Sequence, residues 1–85
     1  MHPGETHASW LVHNIIRFLL SMSPVARELR QRFEFKIVPI LNVDGVIAGN
    51  YRASFAGLDI NRMFSNNANQ RLNPESTYLK QLAKE

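Results

Sequence analysis

His2 and Glu5 stand three positions apart, around Pro3-Gly4. A neutral imidazole and a carboxylate are both good zinc ligands, at roughly 2.0–2.2 Å. A Pro-Gly turn lets His2 fold back toward a carboxylate that the following helix holds in place. The plainer alternative is that Glu5 complements the dipole of that helix and His2 is an exposed terminal residue. A second set lies downstream, at Arg52 and at the pair Asn61-Arg62. The planar fork of arginine suits bidentate recognition of a carboxylate, and an asparagine amide adds a further donor. A second guanidinium could instead stabilise charge developing on a carbonyl oxygen. Against this stands the reading of all three as solvated loop residues. His7 and His13 are poor candidates for a third ligand, because both point along or away from the first helix.

These residues need elements to hold them. Apolar residues at Trp10, Leu11, Ile15, Phe18, Leu19 and Leu20 recur at helical spacing and predict a helix from Glu5 or Thr6 to Leu20. Ser23-Pro24 reads as an N-cap with proline in the first turn, opening a second helix that runs through Arg32. Phe33-Glu34-Phe35-Lys36-Ile37-Val38-Pro39-Ile40 reads as a central strand, its alternation passing into a continuous apolar run. Asn42-Val43-Asp44-Gly45 has the composition of a turn, and Leu58-Asp59-Ile60 that of a very short strand. The stretch from Ser65 to Asn73 is polar and without pattern. Asn73-Pro74-Glu75 then opens a helix to about Lys84. The fold class expected is α/β, in the order helix, helix, strand, loop, helix, with a sheet this chain leaves incomplete. Trp10, Phe18, Phe33 and Phe35 are expected in the core.

The chain has 85 residues and no cysteine, which excludes a disulfide scaffold and a thiolate zinc knuckle. No apolar run is long enough to span a bilayer, and no secretory signal opens the chain, so a cytoplasmic location and no membrane partner are expected. The net charge of +3 and a pI near 9.8 select no partner by themselves. Arg27, Arg30 and Arg32 could form a phosphate-binding patch, but a solvated helix face explains them as well, and this argues against nucleic acid.

In this order, His-Pro-Gly-Glu-Thr, Phe-Lys-Ile-Val-Pro-Ile-Leu-Asn, Asp-Gly-Val-Ile-x-Gly-Asn-Tyr-Arg and Gly-Leu-Asp-Ile-Asn-Arg resemble the zinc metallocarboxypeptidases. The likeness is nearest to the cytosolic carboxypeptidase branch, which includes deglutamylases. It covers residues 1–64 well and 65–85 loosely, as one partial catalytic domain. The resemblance implies that His2 and Glu5 are zinc ligands in a site for one Zn2+, and that Arg52 polarises the scissile carbonyl. It implies that Asn61 and Arg62 clamp the C-terminal carboxylate of a peptide or protein tail, with glutamate-rich tails as candidates.

The implied activity is removal of C-terminal amino acids, glutamate among them, by metal-activated water. The family's third ligand, a histidine, and its general-base glutamate lie further downstream than this chain reaches. Val43 and Phe64 replace the proline and tryptophan usual in the family. The 85 residues alone are therefore expected to be inactive, needing a complementing chain or the missing half of the domain. The alternative is a catalytically dead remnant that binds acidic C-terminal tails.

Overall fold

A computed structural model describes residues 1–65 and 71–85. They form two compact units, Thr6–Pro39 and the pair of segments Met1–Glu5 with Ile40–Glu85.

In the unit Thr6–Pro39, helix α1 spans Thr6–Leu19 and helix α2 spans Pro24–Arg32. Ser21-Met22-Ser23 separates them, and Pro24 sits in the first turn of α2, where its missing N–H costs nothing. Leu19 and Ala26 are the buried contacts of the helical pair. Arg30 donates from Nη1 to the carbonyls of Leu19 and Ser21, so a cation closes the negative end of α1. Arg32 pairs with Glu28 at 2.5 Å, one turn apart. Two of the three helix arginines are thus engaged within the chain, which weakens the phosphate-patch reading.

The expected strand at Phe33–Ile40 does not form, and no strand occurs among the described residues. Phe33 has extended dihedrals (φ −130°, ψ 141°), but a strand is defined by its ladder, and no ladder forms here among the described residues. The α/β expectation is therefore met only in its helices. The same cause corrects the expected core: Trp10, Phe18, Phe33 and Phe35 are all exposed, Trp10 by 69%, because no sheet for them to cover occurs among the described residues.

In the other unit, Asn42 starts a helix where a turn was expected. Its Oδ1 accepts the Gly45 N–H at 3.0 Å and opens α3, Val43–Ile47. Gly49, at φ +74°, ends α3, with its N–H bonded to Val46 O (3.1 Å) and the Asn50 N–H to Gly45 O (2.9 Å). The short strand expected at Leu58-Asp59-Ile60 is instead the entry to a 3₁₀ turn, Ile60–Arg62, with Asp59 as its cap. Its Ile60 is fully buried.

Helix α4, Pro74–Leu82, follows as expected, ending short of Lys84. Its cap differs from expectation. The Asn73 side chain is buried without a hydrogen-bond partner among the described residues, while the Ser76 and Thr77 hydroxyls donate to its carbonyl at 3.2 and 3.4 Å. Ser76 also reaches Met63 O (3.4 Å), tying α4 to the chain just past the 3₁₀ turn. Most of the polar stretch expected between Ser65 and Asn73, residues 66–70, lies outside the described residues. No helix among the described residues is long and apolar enough to cross a membrane.

Candidate active site

The turn at Pro3-Gly4 brings His2 and Glu5 together as the spacing suggested. The Glu5 N–H bonds to His2 O at 3.2 Å, and His2 Nδ1 lies 3.1 Å from Glu5 Oε1. The turn is pinned from outside by the Gly4 N–H, which donates to Tyr51 O at 2.8 Å. Arg52 follows Tyr51, so the bond that holds the turn also fixes the loop bearing the arginine.

One carboxylate that the sequence reading passed over gathers the candidates. Asp59 Oδ1 lies 3.0 Å from His2 Nε2 and accepts the Asn61 N–H at 3.0 Å. Asp59 Oδ2 accepts from Arg52 Nε at 2.6 Å. Partial burial acts to raise the pKa of Asp59. The hydrogen bonds from His2 and Arg52, the Arg52 charge and the Asn61 N–H outweigh it, and the carboxyl is held below its ordinary value. An ionised Asp59 only accepts hydrogen bonds, so its contact with His2 calls for a proton on Nε2. A neutral ring with its proton on Nε2 would turn the lone pair of Nδ1 toward Glu5.

His2, Glu5, Arg52 and Asn61 are thus brought to one place. Arg62, at the end of the 3₁₀ turn, is exposed, and its guanidinium makes no hydrogen bond or ion pair among the described residues. Asp59 was legible in one respect only. It lies within the Gly-Leu-Asp-Ile-Asn-Arg run that carries the resemblance, but its flanking Leu58 and Ile60 gave it the look of a strand residue. His7 is exposed in the first turn of α1, and His13 stacks edge-on against Trp10, with ring centres 6.2 Å apart.

Residues 1–84 match the zinc carboxypeptidase family. The chain belongs to that family. Cytosolic carboxypeptidase 1 of Danio rerio is 49% identical over 82 residues, covering 96% of this chain and 7% of the relative. Cytosolic carboxypeptidase 4 of Homo sapiens is 55% identical over 64 residues, covering 75% of this chain and 6% of the relative. Cytosolic carboxypeptidase 1 of Mus musculus is 48% identical over 82 residues, covering 96% and 7%. The chain thus spans less than a tenth of the length of the curated relatives it matches. No solved structure matches it.

Membership of a zinc carboxypeptidase family implies Zn2+, and the donor set can be tested against it. Two donors bound at roughly 2.0–2.2 Å to a tetrahedral ion stand about 3.4 Å apart. His2 Nδ1 and Glu5 Oε1 are 3.1 Å apart, and two lone pairs facing each other at that distance repel unless a cation or a proton lies between them. The second imidazole nitrogen is engaged by a carboxylate, as is usual for metal-bound histidine. These donors fit two positions of a zinc site. No group of three His, Cys, Asp or Glu that could hold a metal occurs among the described residues.

Proposed function

We propose that these residues are part of the catalytic domain of a zinc carboxypeptidase that removes C-terminal amino acids, glutamate among them, from peptide or protein tails. The observation that carries this is the triple engagement of Asp59 with His2, Arg52 and the Asn61 N–H. Metal ligand, charge stabiliser and carboxylate clamp are held by one anion.

His2 and Glu5 hold the single Zn2+, which supplies Lewis acidity and an activated water when bound. Asp59 keeps the His2 proton on Nε2 and leaves Nδ1 free to ligate. Arg52 is about half exposed and spends Nε on Asp59, so its terminal nitrogens remain to donate to the scissile carbonyl oxygen as that atom gains charge. Asn61 and Arg62 bind the terminal carboxylate of the substrate, so that only its last peptide bond is presented for hydrolysis. The third ligand and the general base come from outside these residues, supplied by the rest of the domain or by a complementing chain. The names of the relatives support a cytoplasmic setting.

The test is hydrolysis of a peptide ending in free glutamate, and of its C-terminal amide, by the zinc-loaded full chain, meaning the complete catalytic domain that contains these residues. Release of one glutamate from the acid alone, abolished by a chelator, is the expected result. Equal cleavage of the amide contradicts the clamp, and tight binding without turnover favours a dead, tail-binding remnant.

A further inference from the structure

We infer that Asn42 is a positioning residue that fixes the separation between the metal-ligand turn and the loop carrying Arg52. This rests on the proposed roles of His2, Glu5 and Arg52, and it concerns what holds those groups apart at a working distance. Asn42 is 1% exposed and makes no use of its amide for solvation. Each end of that amide serves a different segment. Oδ1 accepts the Gly45 N–H at 3.0 Å, and Nδ2 donates to Ala53 O at 3.3 Å, directly after Arg52.

Both segments bear on the site. Gly45 is buried beneath Pro3: a Cβ at Gly45 would lie 2.7 Å from Pro3 Cγ and 2.6 Å from Asn42 Oδ1. The proline between the two metal ligands therefore rests on the glycine that Asn42 holds. On the other side, Asn50 Nδ2 also donates to Ala53 O (3.1 Å) and to Ser54 O (3.2 Å), so the chain leaving Arg52 is held by two buried or half-buried amides. Asp59 joins His2 to Arg52 through side chains alone, that of Arg52 about half exposed. Asn42 joins the backbones beneath them. Misplacement by about 1 Å costs on the order of a hundredfold in rate.

The experiment uses the full chain. Asn42→Ser keeps an oxygen that can cap α3 through the Gly45 N–H but cannot reach Ala53 O. Its kcat per zinc-loaded chain is expected to fall at least about tenfold, with KM and zinc affinity within about twofold of wild type. Gly45→Ala presses on both Pro3 and the Asn42 amide, and is expected to lower zinc affinity and kcat per zinc-loaded chain by about tenfold each. A purely structural role for Asn42 would lower the melting temperature and leave kcat per zinc-loaded chain unchanged, and that result overturns the inference. If Asn42→Ser does not fold, wild-type zinc affinity and kcat in Gly45→Ala overturn it equally. Failure of the wild-type chain to bind zinc or cleave strikes the underlying assignment, a separate and distinguishable result.

Discussion

Asp59 Oδ1 lies 3.0 Å from His2 Nε2, joining two residues 57 positions apart in the chain. The same carboxylate pairs with Arg52 and caps the turn bearing Asn61 and Arg62. Three roles that the sequence offers as separate motifs therefore share one anchor, and changes at that anchor should be felt in all three.

Replacing the anchor is the first consequence. Asp59→Ala frees the His2 ring and strands the Arg52 guanidinium. Zinc affinity of the full chain is expected to fall by about 10–100-fold, and kcat to fall as well. Competition with a chelating dye measures the first, and turnover at saturating zinc the second. Wild-type zinc affinity in this variant would remove Asp59 from the metal site.

Arg52→Lys keeps the positive charge but loses the planar fork that engages Asp59 and substrate together. Turnover is expected to drop by about 10²–10³-fold with KM little changed, since the bond is made to charge that develops in the transition state. A rise in KM at constant kcat would move Arg52 from catalysis to binding.

Arg62 has a guanidinium with no partner among the described residues, as a substrate clamp should. In the proposed clamp Arg62→Ala would remove a charge-assisted hydrogen bond worth ~1.5–3 kcal/mol, so KM for a free-acid peptide should rise about 10–100-fold. Affinity for the C-terminal amide should barely move. Equal losses for acid and amide would show that Arg62 does not read the carboxylate.

Gly4 illustrates close approach. A Cβ there would meet the Tyr51 ring at Cδ2 and lie 2.8 Å from Tyr51 O, the acceptor of the Gly4 N–H. Gly4→Ala should destabilise the full chain by ~1–3 kcal/mol, read as a lower denaturation midpoint. An unchanged midpoint would mean the turn has room to shift.

Helices α1, α2 and α4 were legible because their signals are local: apolar recurrence in α1, and proline after Ser23 and Asn73 in the other two. Even so, neither Ser23 nor Asn73 caps with its side chain. Helix α3 was hidden because five residues carry no periodicity and its start depends on the Asn42 amide, which also marks turns. The apolar run Phe33–Ile40 has the pattern of a strand, but a strand requires a pairing neighbour, and none occurs among the described residues. The individual candidate residues were visible in their motifs. Asp59 was not, because its significance lies in contacts with His2 and Arg52 that no local pattern records.

Zinc binding by the full chain, compared among wild type, His2→Ala and Glu5→Gln, is the most direct measurement. The account predicts one tightly held zinc in the wild type and a loss of affinity of at least about tenfold in each variant, because each removes or weakens a ligand. Undiminished zinc binding in both variants would contradict it.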